Sequence, residues 1–394
     1  MRDRESESQD PLAALLDRVH DIGREIIAPA AAAVDRDARF PEESIAALKA
    51  EKLLSAYVPR DYGGLGLNLA DLARICEALG LYCASTAMVF AMHQIQVGCI
   101  VHHALISEFF QRYIRELVEH QYLLASATTE LGIGGDVRSS LCAVAVDGEE
   151  FTLEKQAPVI SYGAHADGIL VTARRSAQAT RSDQVHVLVR RGDFQLKELS
   201  GWDTLGFRGT CSSGFALSAR GHAQQILPVP YADIHSRTMH PFSHTVWSSL
   251  WLGIATDAVN RARATVRAEA RKSPDVPPPS ALRLAEVDTV LFSMRGGVYQ
   301  TVAEYQRLLS AGDPAAFAQF GFSIRINNLK LTSSQLLIDI VGRAMQICGI
   351  AGYRNDSKTS LGRHLRDAYG AALMVNNDRI LGQSSTMQIM QREG

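Results

Sequence analysis

The chain reads as a multidomain α+β protein with a helical, β, helical order, and three observations predict it. Over the first 120 residues apolar side chains recur at helical spacing, from Tyr122 to about Ile234 short apolar runs alternate with turn residues, and from Pro241 onward long helical patterns return. The units are therefore placed at 1–120, 121–235 and 236–394. At about 110 residues, the middle unit has the size of one small β-barrel.

The first unit opens with Leu12, Leu15, Leu16, Val19, Ile22, Ile26 and Ile27 on a helical repeat. Pro41 with Glu42 and Glu43 predicts a further helix start, because proline suits the first turn and carboxylates suit the positive end of a helix dipole. Gly63, Gly64 and Gly66 mark a loop rather than a nucleotide motif, since no strand precedes them. The apolar stretch Ala87 to Ile106 is interrupted by His93, Gln94, Gln96, His102 and His103, so it predicts a buried helix and not a membrane span. In the middle unit the runs Leu123 to Thr128, Phe151 to Leu153, Ile169 to Ala173, Val185 to Val189 and Phe215 to Leu217 predict strands. The last unit is broken between Ser273 and Ser280 by Pro274, Pro277, Pro278 and Pro279, and near Ser310 by Gly312 and Pro314.

Composition narrows the function. The 394 residues are 46% hydrophobic and 21% charged, and 40 basic against 42 acidic residues leave a net charge of -2, without the basic excess of a nucleic-acid binder. Cys76, Cys83, Cys99, Cys142, Cys211 and Cys348 show no paired or zinc-type spacing, and Met1 to Asp10 are charged without the apolar stretch of a secretory signal. Both point to a cytoplasmic protein with reduced thiols. His102 and His103 lack the spacing of a helical metal site, and no other ligand cluster stands out, so no metal is expected.

The segment with most chemistry runs from Leu124 to Leu141. A short strand-like run leads into Thr128 and Thr129, then into Glu130, Leu131 and the glycines 132, 134 and 135, a turn whose backbone can approach a flat or anionic ligand closely. This segment resembles the Thr-Glu-Pro-x-x-Gly-Ser-Asp stretch of the acyl-CoA dehydrogenase family. Other blocks agree in order: Pro41 to Leu54 with Pro59 to Leu67, Trp202 to Thr210 with Gly206, Arg208 and Gly209, Gln346 to Tyr353, and Leu365 to Ala368. The resemblance spans about Leu12 to Ile380.

It implies an N-terminal helical domain, a central β-barrel and a C-terminal four-helix bundle, with FAD, less readily FMN, between barrel and bundle. Thr128 and Thr129 would then bond the flavin pyrimidine, and Ser161 would approach its N5 region. Arg271, Gln346 and Gly349 would reach the FAD of a neighbouring subunit, which makes the protein a homodimer or homotetramer. Guanidinium suits a pyrophosphate through charge and forked donors. Several positions depart from the family. Leu131 stands for its proline, Gly135 for its serine at the substrate mouth, and Val159 where many relatives carry an aromatic ring. Ser273, Pro274 and Asp275 replace the Phe and Gly that follow its arginine.

The catalytic base is the largest departure. Dehydrogenation of an acyl thioester needs a carboxylate within reach of the α-proton. The family's Tyr-Glu-Gly-Thr falls on Met374, Val375, Asn376 and Asn377, so Met374 and Val375 would face substrate and Asn377 the cofactor. The alternative seat on the first bundle helix is Ser243, beside His244. Substitutes are Asp378, one turn beyond Val375 if the segment is helical, and His244 and His93 near the acyl end, for which a hydrogen-bonded core histidine is the competing reading. His165 and Asp167 are expected to serve a turn. The leading function is thus FAD-dependent oxidoreduction of an acyl-CoA or acyl-carrier thioester, delivering electrons to an acceptor. The alternatives are a flavin-dependent monooxygenase served by a flavin reductase, and a non-catalytic partner subunit.

Overall fold

The computed structural model describes residues 10–272 and 274–391, so Ser273 and nearly all of the charged N-terminal stretch lie outside the described residues. Six helices come first: α1 (Pro11–Ile22), α2 (Ala28–Arg36), α3 (Glu42–Ala50), α4 (Leu69–Gly80), α5 (Ala84–His103) and α6 (Glu108–His120). Glu42 and Glu43 fill the first turn of α3, with Pro41 just ahead of it. Helix α5 is long and apolar enough to cross a bilayer, yet 89% of its apolar window is buried inside the protein. Some of its polar residues bond inside the core, the Gln94 amide donating to the Leu53 carbonyl at 2.9 Å, while Thr86 Oγ1, Gln94 Oε1 and Gln96 Oε1 find no partner among the described residues.

The middle region departs from the expected closed barrel. Its strands are β1 (Leu124–Ala127), β2 (Ala145–Asp147), β3 (Glu150–Ala157), β4 (Gly168–Arg174), β5 (Gln184–Arg190), β6 (Phe194–Ser200) and β7 (Gly214–His222). They form two open sheets, ordered β1-β4-β5 and β2-β3-β7-β6. Closure would need an unbroken ladder around the ring. Instead β1 is four residues long, pairs only with β4, in parallel, and then gives way to the glycine turn. Strands β4 and β5 are buried along nearly their whole length, whereas β3 alternates between exposed and buried residues. The first sheet is therefore sandwiched and the second is wet on one face. The sequence pattern misses β2, which is three residues long and exposed, and β6, most of which is exposed.

Beyond the sheets, α7 (Tyr231–Ile234) runs through a π-turn, His235–Met239, into α8 (His240–Ala270). The chain continues as α9 (Ser280–Ala311), α10 (Pro314–Phe317), α11 (Phe320–Cys348), α12 (Ile350–Tyr353), α13 (Gly362–Leu373) and α14 (Asn377–Met390). Helices α8, α9 and α11 pack together, and α13 and α14 pack in succession on α11. The prolines 274–279 separate α8 from α9, and Asp313 caps α10 with Pro314 in its first turn. Two sequence blocks meet across the fold: Asp367 on α13 accepts the Phe207 N–H at 2.6 Å, and Arg366 donates to Asp35 at 2.8 Å.

Helices α4 and α8 cross with backbones in contact. A Cβ on Gly80 would stand 2.2 Å from the Leu250 carbonyl oxygen, and one on Gly253 would stand 2.1 Å from that of Glu77. Gly253→Ala should therefore force the helices apart and cost about 1–3 kcal/mol in a denaturant melt. Gly342→Ala on α11 is the control: no atom lies within 4 Å of its Cβ position, and the gain in helix propensity should leave stability equal or higher by about 0.5–1 kcal/mol. Equal losses in the two variants would contradict the crossing.

Candidate functional site

The glycine turn is anchored from below by a buried ion pair. Glu130 accepts the Ser140 hydroxyl at 2.7 Å and the N–H groups of Leu141 and Cys142 at 3.1 and 2.6 Å. The Lys155 ammonium lies 3.5 Å from Glu130 and donates to the Thr172 carbonyl at 2.6 Å and hydroxyl at 3.0 Å. These bonds clamp both ends of the loop 131–141 to β3 and β4. Above the clamp Gly132, Gly134 and Gly135 all have positive φ, from 58° to 88°, a region that only glycine enters without strain. Open space surrounds the Cβ position of Gly134.

Hydroxyls line the sheet side. Thr129 donates to the Val159 carbonyl at 2.9 Å, which ties the start of the turn to the chain after β3. Ser212 donates to Ser161 at 2.8 Å and shares a 2.8 Å hydrogen bond with Thr210. Thr128 lies half-buried at the end of β1.

The bundle reaches this turn through the start of α14. The Arg379 guanidinium donates to the Gly134 carbonyl, and a Cβ on Gly135 would sit 2.7 Å from its Nη1. Just ahead of α14, Asn376 caps the helix by accepting from the Asp378 N–H at 2.8 Å, and Val375 adopts φ 44°. Asn377 accepts from the Lys330 ammonium at 2.5 Å and donates to the Ser334 hydroxyl at 3.1 Å; Lys330 also reaches the Val375 carbonyl at 3.2 Å. Burial pushes the Lys330 amine down to about 8.

Histidines of α8 stand nearby. His240 shares a 2.8 Å hydrogen bond with Asn327 of α11, its ring lies 4.6 Å from that of His244, and the His244 ring lies 5.9 Å from that of Trp247. Burial holds His244 well below the usual imidazole range, with His240 and Lys330 adding repulsion. His244 is thus neutral at physiological pH.

The expected site residues separate into two groups. Thr128, Thr129, Gly134, Gly135 and Ser161 come together beside the glycine turn, and Met374, Val375 and Asn377 meet that turn through Arg379. Arg271, Gln346 and Gly349 lie elsewhere, all exposed, at the far ends of α8 and α11. Twenty-seven residues of continuous helix separate His244 from Arg271, about 40 Å.

Two base candidates are corrected. Asp378 is exposed in the first turn of α14 and shares no helix with Val375, because the chain breaks at Met374 to Asn376. His93 is a core strut: one ring nitrogen lies 2.6 Å from the Leu54 carbonyl, and the other accepts the Leu124 N–H at 2.9 Å. Burial lowers it to about 4. Asp167 joins the starts of β1 and β4, accepting the Leu123 N–H at 2.8 Å, and His165 stacks on Phe40. Sequence reasoning missed Lys330, Asn327 and Arg379. The first two share the i, i+3 register of the buried face of α11, so a lysine inside that apolar stripe was the available signal.

The comparisons with known proteins come to one family. Residues 9–141 match the model of the N-terminal domain of acyl-CoA dehydrogenases, and residues 238–374 that of the C-terminal domain. A cyclohex-1-ene-1-carbonyl-CoA dehydrogenase of Geobacter metallireducens is 30% identical over 199 residues, 50% of this chain and about half (52%) of that relative. The short-chain specific acyl-CoA dehydrogenase of Clostridium acetobutylicum is 22% identical over 361 residues, 89% of this chain and 90% of the relative. Among solved structures, the FMN-bound form of TdsC, a dibenzothiophene monooxygenase from Paenibacillus sp. A11-2, superposes with a TM-score of 0.83 at 18% identity, covering 97% of this chain and 98% of that one. At that identity the likeness is one of fold.

Glu130→Gln tests the clamp. It leaves Lys155 buried without its counter-ion, which should cost about 3–5 kcal/mol and loosen the loop. A thermal melt together with limited proteolysis between Leu131 and Leu141 measures both effects, and unchanged values would show that the pair does not hold the turn.

Proposed function

This chain belongs to the acyl-CoA dehydrogenase family, and on that premise we propose that it is a flavin-dependent oxidoreductase acting on an acyl thioester of coenzyme A or a carrier protein. One observation carries the reading. The glycine turn meets α14 at Gly134 and Arg379, making a seam between sheet and bundle with hydroxyls on one side and Asn377, Lys330 and buried histidines on the other. Seams of this kind are the usual place for ligands.

The donors and acceptors fit a flavin. Ser161 accepts from Ser212 and so keeps its own hydrogen to give, Thr129 has given its hydrogen to Val159 and keeps lone pairs, and Gly134 leaves open space beside the turn. Thr128, Thr129 and Ser161 would hold the ring system, with Asn377 approaching from α14. A bound flavin supplies a hydride acceptor.

The distance of Arg271 from this seam supports the choice of FAD in an oligomer, because a cofactor contact about 40 Å from His244 along α8 would belong to another subunit's cofactor, and Gln346 and Gly349 are likewise exposed at the far end of α11. Phe292, Ile350 and Ile389, 77%, 73% and 86% exposed, give the bundle apolar surface for such an assembly. The free cysteines, five of them buried, fit a reducing cytoplasm. An electron acceptor would reoxidise the flavin.

A second reading follows from the two base seats. Ser243 and Val375 hold no carboxylate, and Val375 sits in a left-handed turn with 43% of its surface exposed. Oxygenation needs no α-proton base, so a monooxygenase fed by a flavin reductase accommodates those residues. Anaerobic titration of the flavin-loaded protein with a panel of acyl thioesters decides: bleaching without oxygen supports dehydrogenation, whereas dependence on reductant and oxygen supports the second reading. Purification without flavin would favour a non-catalytic subunit.

If the turn at Val375 borders the substrate α-carbon, Val375→Glu should speed anaerobic flavin reduction, by about 10²–10⁴ for a well-aimed base. Only the ionised carboxylate accepts a proton, so the gain should grow with pH until the glutamate is ionised. A folded, flavin-loaded variant no faster than wild type between neutral and alkaline pH would remove Val375 from the reaction.

Arg271→Ala tests the shared cofactor site. Loss of the guanidinium should weaken FAD binding by about 1.5–3 kcal/mol while the oligomer stays intact by sedimentation. FAD held as tightly by the variant, or by a stable monomer, would contradict the assignment.

A further inference from the structure

Two lysines are fully enclosed in this protein, and they differ in one respect. Lys155 has Glu130 as counter-ion at 3.5 Å. Lys330 has none among the described residues: its ammonium reaches only the Asn377 amide oxygen at 2.5 Å and the Val375 carbonyl at 3.2 Å. Fully buried cations are ordinarily paired. At a pKa of about 8, the amine is mainly charged at neutral pH.

The neighbouring wall is polar, enclosed and incompletely bonded. Among the described residues sixteen buried side-chain nitrogen and oxygen atoms find no hydrogen-bond partner in the protein, and seven of them fall between Tyr231 and Trp251. They include His235 Nδ1, His244 Nδ1, Trp247 Nε1 and Ser248 Oγ. On one face of α8 His240 meets His244 edge to face and His244 lies tilted against Trp247, and His240 bonds Asn327, three residues before Lys330 on α11. Buried polar atoms are nearly always hydrogen-bonded in folded proteins. Among these residues, His244 lies within electrostatic reach of Lys330 and touches His240 and Trp247, so partnerless polar atoms beside an unpaired ammonium point to a polar guest with negative charge.

We propose that α8, α11 and the start of α14 together bind the acyl end of a thioester that carries a terminal carboxylate, with Lys330 as its counter-charge and the α8 face supplying hydrogen bonds. The proposal rests on the acyl-thioester reading above and adds the class of acyl group. The uncharged imidazoles lend donors and acceptors without competing for the anion. A purely aliphatic chain would leave both the ammonium and these atoms unsatisfied.

Isothermal titration of the flavin-loaded protein at pH 7 with glutaryl-CoA and with valeryl-CoA, equal in carbon number, tests it. Wild type should bind glutaryl-CoA at least about tenfold more tightly, the scale of one charge-assisted hydrogen bond. Lys330→Met should erase the difference by weakening glutaryl-CoA alone. The wild-type comparison decides even if the variant does not fold. Equal affinities, tighter valeryl-CoA binding, or a preference that survives in Lys330→Met would overturn the carboxylate assignment and leave the thioester reading standing. Binding of neither thioester would overturn both.

Discussion

Helices α4 and α8 touch backbone to backbone at Gly80 and Gly253, and that contact fixes how α8 is turned about its axis. At 100° per residue, His240, His244, Trp247 and Trp251 lie on the opposite side of α8 from Gly253. One face of the helix is thereby committed to the N-terminal domain and the other to the bundle interior and α11. Polar contacts hold the same junction: Glu77 on α4 accepts from Arg295 on α9 at 2.5 Å and from the Tyr299 hydroxyl. Gly253 in the middle of α8 sacrifices some helix propensity, and the close crossing with Gly80 at the end of α4 offsets that with packing along the buried N-terminal half of α8.

From that crossing the site is assembled by short bonds between elements distant in sequence. Arg379 ties α14 to the carbonyl of Gly134, Lys330 ties α11 to the turn before α14, and Asp367 ties α13 to the loop at Phe207. On the sheet side Glu130 and Lys155 hold the base of the glycine turn, leaving its tip, rich in positive φ, free to face the bundle. The rigid parts of the seam are thus the ion pair below and the helix starts beside it. The same turn also explains the open sheets, because the chain leaves the ladder after β1 to make the loop and never returns to close a barrel.

The family blocks were legible because each carries its local requirement in its own residues: glycines where φ is positive, acids at a helix start, apolar periodicity in α1 and α5. Strands β4 and β5 were legible for the same reason, as continuous apolar runs. Strands β2 and β6 were not, since exposed edge strands need no apolar alternation. The reading of Asp378 failed on a local break: Asn376 caps a new helix at the point where continuity was assumed. His93 looked available for chemistry, but Leu54 and Leu124, remote in sequence, occupy both ring nitrogens.

By itself the sequence determined the helical, β, helical order and the glycine turn after β1, because those follow from local pattern and residue identity. Only the tertiary structure decided that the sheets stay open, that Arg271 stands about 40 Å from His244, and that Lys330 is buried beside Val375 without a counter-ion among the described residues. Whether a charged group is paired depends on which side chains reach it from other helices. Such reach is set by packing between segments dozens to hundreds of residues apart, and no local pattern encodes it.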